Sequence, residues 1–348
     1  MSAVPRESSV QWCYRFSLIR GGSVLNVSQR DPVVSIVIVG YNSGHLIQEA
    51  VKPFLGDPRV EFILVDNASS DDTLSQFASI GSGSPSVIVE RSNNGGFAVA
   101  VNEGVERASA PFVLLLNPDA SLSLQDLFLL VSDFDSEQSA IVGPMVGEQN
   151  APTTTAGYYP SVWRMAMHAT GLSRLGGFVP VFRGHYILRN DVLGEVRAVD
   201  WVTGGCMLVR RDTWNRMNGL SERWFMYGED IEFCTRVRRS GLSVILDGRV
   251  RVDHSVGKST RGVDSQLSTV WLRNLYEVYC VTSSPGLIRR ELWKWTVSAG
   301  FLLRSFVFAA LSKLDLTRDA NDQHSRKARR FWHYSRTFCS ESEQWPPA

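Results

Sequence analysis

The chain has 348 residues, a formal net charge of +1, 44% hydrophobic residues and 20% charged residues. That size suits one large α/β domain with an extension, or two domains, and the composition excludes a disordered chain. The near-neutral charge points to no bulk partner. The five cysteines (Cys13, Cys206, Cys234, Cys280 and Cys339) include no CxxC pair, which excludes a disulfide framework or zinc site and fits a reducing, cytoplasmic setting.

Residues 1–31 read as a mixed leader with no clear period and no apolar stretch suited to a secretory signal. Val33–Val39 is a β-branched run and predicts the first core strand, broken by Gly40-Tyr41-Asn42-Ser43. Leu46, Ala50, Val51 and Phe54 follow at helical spacing. Val60–Val65 predicts the second strand. It stops at Asp66, before a cap-rich cluster that leads into a helix from about Asp72 to Ala78. Ser86–Glu90 predicts a third strand, Asn93–Phe97 a loop, and Ala98–Arg107 a helix.

Phe112–Leu116 is continuously apolar and ends at Asn117-Pro118-Asp119. Such a run predicts a strand buried on both faces, and Pro118 ends its ladder. The alternation of strands and helices over Val33–Asp119 implies a parallel sheet with right-handed crossovers. Leu127–Phe134 predicts a helix and Ala140–Val146 a strand. Gly147–Gly194 reads as a long excursion over the sheet with short elements. Val196–Trp201 and Cys206–Val209 are expected to pair around Thr203-Gly204-Gly205. Short helical and strand signals follow at Arg211–Met217, Trp224–Gly241, Ser243–Asp247 and Val250–Asp253. From Ser265 the pattern is helical and rich in aromatics. No internal repeat appears. The longest apolar run, Val297–Leu311, contains Arg304 and falls short of the ~20 residues a membrane span needs.

Several residues at these breaks can carry chemistry. Asp66 and Asp119 end what are expected to be neighbouring parallel strands, at the carboxyl edge where open α/β sheets place ligands. Together they could serve a base or ribose hydroxyl (Asp66) and a divalent cation, Mg2+ or Mn2+, carrying a diphosphate (Asp119). A cap for the next helix (Asp66) and a plain turn (Asn117–Asp119) are the competing readings. Asn94-Gly95-Gly96 would let backbone approach a phosphate or ribose. It is not a GxGxxG fingerprint, and no GxxxxGK[ST] loop occurs, so neither a nicotinamide cofactor nor a P-loop is expected. Glu229-Asp230 opens a helix whose N-terminus favours ionised carboxylates. A general base at Asp230, with Glu229 holding geometry, competes with an ordinary acidic first turn. His254 could ligate a divalent metal, and Lys258 could contact phosphate oxygens.

Taken in order, "SIVIVGYNS", "ILVDNASSDDT", "NNGGFAVAVNEG", "LLLNPD", "VTGGCMLVRRDTW" and "FMYGEDIEFCTRVRRSG" resemble the family 2 inverting glycosyltransferases of GT-A fold, in their rhamnosyltransferase-like branch. The resemblance covers about Val33–Gly262. It implies an α/β fold with a mixed, mostly parallel central sheet flanked by helices, here followed by a C-terminal helical extension. The expected divisions are 1–31, 32–262 and 263–348. By the same resemblance Asp66 would bind the donor's base beside Tyr41 and Asn42, while Asn94 and Gly95 would lie at the donor. Asn117 and Asp119 would occupy the DxD positions, with Asn117 replacing the first acid. Asp119 and His254 would ligate the metal, and Asp230 would be the base. Lys258 and Arg261 would neutralise the leaving diphosphate, and Trp201, Gly204 and Gly205 would line the acceptor side. The implied reaction moves a sugar, L-rhamnose from dTDP-rhamnose, to a glycan or polyprenyl-diphosphate-linked acceptor in cell-surface polysaccharide synthesis. A UDP-hexose donor and a sugar nucleotidyltransferase are the alternatives.

The C-terminal stretch alternates basic residues (Arg289, Arg290, Lys294, Arg304, Lys313) with Trp293, Trp295, Phe306 and other apolar residues. That suits a peripheral contact at the inner face of the cytoplasmic membrane. A helical pair packed on the catalytic domain, or a homodimer interface, is the competing reading. No nucleic-acid motif is present.

Overall fold

The computed structural model describes residues 19–20, 23–24, 31–81, 84–147, 153–254, 269–314 and 318–339. The chain divides into two compact units, Met1–Asp31 and Pro32–Ala348. In the first, Ile19–Arg20 pairs antiparallel with Ser23–Val24.

In the second unit the apolar runs become the strands of a parallel half-sheet. These are β1 (Val34–Gly40), β2 (Val60–Asp66), β3 (Ser86–Glu90) and β4 (Phe112–Leu116), in the order β3-β2-β1-β4. Every residue of β4 is buried, as its unbroken apolar sequence requires. The helices between them are α1 (Gly44–Val51), α2 (Thr73–Gly81) and α3 (Phe97–Glu106). Side-chain alternation sorts them by face. A Cβ at Gly104 of α3 would lie 2.9 Å from Val37 and Val65, whereas one at Gly40 would lie 2.7 Å from Thr73 and 3.0 Å from Phe77 of α2. Residues 37 and 40 point to opposite sides of β1, so α3 covers one face and α2 the other. One expectation is corrected here. β1 lies between β2 and β4, so Asp66 and Asp119 flank a shared strand rather than ending neighbouring ones.

The second half of the sheet is mixed. After β5 (Ala120–Ser121) and α4 (Leu124–Ser132) come β6 (Ser139–Val146), then β7 (Thr153–Gly157), α5 (Val162–Thr170), β8 (Tyr186–Leu188), β9 (Val196–Val199), β10 (Trp201–Val202) and β11 (Cys206–Arg210). α6 (Arg211–Arg216), α7 (Glu229–Arg239) and β12 (Ser243–His254) follow. The main sheet continues β4-β11-β6-β12-β9. The excursion over 147–194 supplies β7 and β8, which join β10 in a separate three-stranded sheet. The expected pairing of Val196–Trp201 with Cys206–Val209 is not formed. β9 runs antiparallel to β12, while β11 inserts antiparallel between β4 and β6. The cause is at Trp201–Val202, which leaves the line of β9 to pair with β7. The two short strands expected at 243–253 are one strand whose register shifts between Asp247 and Arg251. Gly248 sits at that bulge, its N–H on Glu195 O at 2.6 Å.

Three C-terminal helices, α8 (Val270–Ser283), α9 (Leu287–Leu314) and α10 (Arg318–Ser335), complete the unit. α9 packs on α5 and α10. Trp293 of α9 is fully buried and donates its indole N–H to Pro160 O at 2.8 Å. The 28-residue α9 extends beyond the apolar run recognised in the sequence. By length and composition it is sufficient to cross a membrane.

Candidate active site

The carboxyl edge of the parallel half-sheet carries the loops after β1, β2 and β4. After β1, Asn42 adopts φ +52 and locks the next loop: its Oδ1 accepts from Ser70 N at 2.8 Å and its N–H donates to Ser69 Oγ at 3.0 Å. Tyr41 beside it is exposed. Asp66 is buried at the end of β2. Its Oδ2 accepts from Ser69 N at 3.2 Å, while its buried Oδ1 has no hydrogen-bond partner. Asp66 does not cap α2. Asp71 does so, accepting the Thr73 N–H at 3.0 Å. An acceptor oxygen that local structure leaves unused fits a residue held for a ligand's donor groups.

Asn67 explains the Asn94-Gly95-Gly96 loop. Its Nδ2 donates to Asn94 Oδ1 at 2.7 Å, and Asn94 Oδ1 also accepts from Gly96 N at 3.1 Å. Gly96 has φ +92, and a Cβ there would lie 2.5 Å from Phe225 O. No residue but glycine fits both the dihedral and the approach. The start of α3 is thereby pinned to the segment before α7, with the Phe97 N–H on Phe225 O at 2.9 Å.

Gly204-Gly205 joins the two halves of the crevice. Gly205 O accepts from Asn117 N at 2.9 Å, tying the end of β4 to the turn before β11. Gly204 N donates to Asp230 Oδ2 at 3.1 Å. The other oxygen of Asp230 accepts from Ile231 N at 2.8 Å, as a first-turn acid can, but the link to Gly204 carries the side chain across the crevice. A side chain on Gly204 would crowd Phe97 at 3.2 Å, and one on Gly205 would crowd Asn117 at 3.2 Å.

Glu229 is buried and Asp230 half-buried at the N-terminus of α7. Burial pushes both carboxyls above their ordinary range; the neighbouring Asp230 charge adds to the rise at Glu229, while N–H donors from Gly204 and Ile231 oppose it at Asp230. Tyr227, at φ +69, has its hydroxyl held above the ordinary range by desolvation and then by the charges of Glu229 and Asp119. Asn274 of α8 holds this segment from behind, donating to Met226 O at 2.7 Å and Tyr227 O at 3.0 Å.

Asp119 is half-buried after β4. β5 pairs antiparallel with the end of β12, setting His254 opposite Ala120 and Asp253 opposite Ser121. The backbone of His254 therefore runs beside the residue that follows Asp119. The side chain of His254, and Lys258 and Arg261 altogether, lie outside the described residues. Among the described residues no group of three or more His, Cys, Asp or Glu forms a metal cluster. Carboxylate and imidazole donors on adjoining strand ends fit Mg2+ or Mn2+ in chemistry.

Trp201 is buried, not exposed to the crevice. Its indole N–H donates to Tyr158 O at 3.2 Å and its ring stacks on His185 at 4.9 Å. It backs the wall that carries Thr203 and Gly204. The contacts of Asn67 and Tyr227 arise from long-range partners, which local sequence does not display. An Asn directly after Asp66, before a turn, was the only available signal for the first.

Residues 35–197 match Glycosyl transferase family 2, and residues 185–260 match the family described as N-terminal domain of galactosyltransferase. Residues 35–197 thus carry a family 2 glycosyltransferase domain. Over 306 residues it is 27% identical to the N-acetylglucosaminyl-diphospho-decaprenol L-rhamnosyltransferase of Mycobacterium tuberculosis, covering 80% of this chain and 94% of that one. It is also 27% identical over 217 residues to the low-salt glycan biosynthesis hexosyltransferase Agl10 of Haloferax volcanii, covering 61% and 63% of the two chains. In structure it is similar to a mannosyltransferase from Pyrobaculum calidifontis in complex with GDP-Man and Mn2+. That match has a TM-score of 0.58, 17% identity, and 89% and 88% coverage. The glycosyltransferase thus has the expected GT-A fold.

Proposed function

We propose that this glycosyltransferase moves L-rhamnose from dTDP-rhamnose to a hydroxyl of a polyprenyl-diphosphate-linked saccharide, with inversion at the anomeric carbon. The observation that carries the reading is the Gly204-Gly205 turn, which ties Asp230 and the Asn117–Asp119 strand end to one short backbone stretch. A base and a donor-binding carboxylate held to the same turn suit in-line displacement. Asp66 would bind the base of the donor through its unused oxygen, with Tyr41, Asn42, Asn94 and Gly95 around the nucleoside. Asp119 and His254 would hold a divalent cation, which when bound supplies positive charge to the leaving diphosphate. Lys258 and Arg261 are assigned to the same diphosphate, and Gly204, Gly205 and the wall backed by Trp201 to the acceptor.

In the reaction the acceptor hydroxyl loses its proton to Asp230 as its oxygen forms the new bond to the anomeric carbon. The bond from that carbon to the diphosphate oxygen breaks, and its electron pair leaves with the nucleoside diphosphate. No covalent glycosyl-enzyme is required. The rhamnose donor and lipid-linked acceptor draw support from the mycobacterial relative. A UDP-hexose donor is the second reading, favoured by the similarity to a hexosyltransferase. The test incubates the purified chain with dTDP-rhamnose and UDP-hexoses, Mg2+ or Mn2+ and a polyprenyl-diphosphate acceptor. Released dTDP and a rhamnosylated product are expected. Turnover with UDP-hexose alone replaces the donor assignment, and release of pyrophosphate overturns the reaction class.

A further inference from the structure

α9 has two faces of opposite use. Its inner side, including Trp293, Val297, Gly300 and Phe301, is buried. A Cβ on Gly300 would meet Ala169 of α5 at 2.8 Å, so the contact with α5 is close. The outer side runs Ile288, Leu292, Trp295, Leu303, Phe306 and Leu314 along one stripe at helical spacing, with exposures from 52% to 85%. The two basic residues in its middle turn away. Lys294 pairs with Glu291 at 2.6 Å, and Arg304 lies over the Phe331 ring at 3.9 Å while donating to His168 O at 3.2 Å. At 1.5 Å per residue the helix is about 42 Å long, so the stripe far exceeds a scattered surface apolar residue.

A second apolar element adjoins it. The turn after α5 begins at Gly171, where a Cβ would lie 3.4 Å from Arg304, and leads to Phe178, which is 87% exposed. Positive charge gathers at the same place. Arg174 and Arg330 stand close enough to Arg304 that their charges, after burial, hold its guanidinium below its ordinary range. Among the described residues none of the three pairs with a carboxylate. Arg174, exposed on the turn that leads to Phe178, sets an unneutralised cation beside this apolar surface, which matches the phosphate layer and acyl boundary of an anionic bilayer.

We propose that the outer stripe of α9 and the Phe178 turn dock in the plane of an anionic lipid surface, with the exposed Arg174 of that turn at the headgroups. A spanning α9 would have to strip its inner face from α5 and α10, removing the fully buried Trp293 from Pro160 O. The in-plane arrangement leaves those contacts intact. It does not depend on which sugar or acceptor is used.

The test uses the full chain in sedimentation with phosphatidylcholine vesicles, with and without phosphatidylglycerol. Binding to the anionic vesicles, weakened by salt, is expected. Leu303→Glu with Phe306→Glu should reduce the bound fraction at least tenfold, and Phe178→Glu should weaken it several-fold. Thermal melts report folding, and release of nucleoside diphosphate with a water-soluble acceptor should be unchanged in these variants. Unchanged binding by folded variants overturns the proposal, as does absence of binding by the parent chain. So does a dimer in light scattering that those substitutions dissociate without any vesicle binding. Resistance of the native membrane-bound chain to carbonate extraction overturns the in-plane arrangement in favour of a span. Loss of vesicle binding with transfer retained separates the surface from the catalytic reading.

Discussion

Asp230 and Glu229 are adjacent acids in one helical turn, yet their surroundings differ. Asp230 reaches the Gly204 N–H across the crevice, while a buried oxygen of Glu229 has no hydrogen-bond partner. Burial raises both, so Glu229 is the less suited to carry a charge. Asp230→Asn should lower kcat by at least about 100-fold, the usual scale of a general base, with donor affinity retained in calorimetry. Glu229→Gln, which mimics the protonated acid, should cost far less; an equal loss would show that Glu229 must ionise. Because a base has to be unprotonated, kcat/KM should fall on acidification, along a limb lying above the ordinary carboxylate range. Removing the Glu229 carboxyl should leave that limb in place, because burial, and not a Glu229 charge, raises Asp230. A pH profile whose acid limb sits at an unshifted carboxylate value contradicts the base assignment. At Asp119 the expected signature is different. Asp119→Ala should abolish stimulation by Mn2+ and lower Mn2+ affinity in titration, leaving base recognition through Asp66 in place. These acids stand out in the sequence because Asp119 follows the end of an apolar run and Glu229-Asp230 opens a helix. Asn67, Tyr227 and Asn274 were not identified as they function here, since their roles depend on partners brought close only by folding.

At the scale of elements, legibility followed burial. β1, β2 and β4 are buried on both faces, so continuous apolar runs marked them with nearly correct ends. β11 has the same character, but its antiparallel place between β4 and β6 is a matter of pairing, which periodicity does not encode. The loop between β3 and α3 shows how one glycine sets relations between elements. Gly96→Ala forces a Cβ toward Phe225 O at 2.5 Å and strains φ +92, so α3 and the segment entering α7 cannot keep their present contact. The expected cost is about 1–3 kcal/mol in denaturant unfolding, with weaker donor binding as Asn94 loses its register. Unchanged stability and binding would mean that this contact does not hold the crevice together.

At the scale of the molecule, the question is whether the C-terminal helices are an appendage. Their sequence, basic and aromatic, reads equally as a membrane element or a packed pair, because composition cannot say which face is covered. The compact unit runs from Pro32 to Ala348, and α9 enters its core through Trp293. That ring meets Tyr276 at 5.3 Å, Tyr279 at 6.1 Å and Phe338 at 5.8 Å, so α8, α9 and the turn after α10 converge on it. Trp293→Ala removes the ring and leaves Pro160 O without its donor, a cavity and an unpaired acceptor together. A loss of about 3–5 kcal/mol is expected, seen as one cooperative transition displaced as a whole. Intrinsic fluorescence and circular dichroism should then report the same midpoint for sheet and helices. Two separated transitions, with only the helical one moved, would show instead that the sheet stands without α8–α10 and that the extension folds as an independent part.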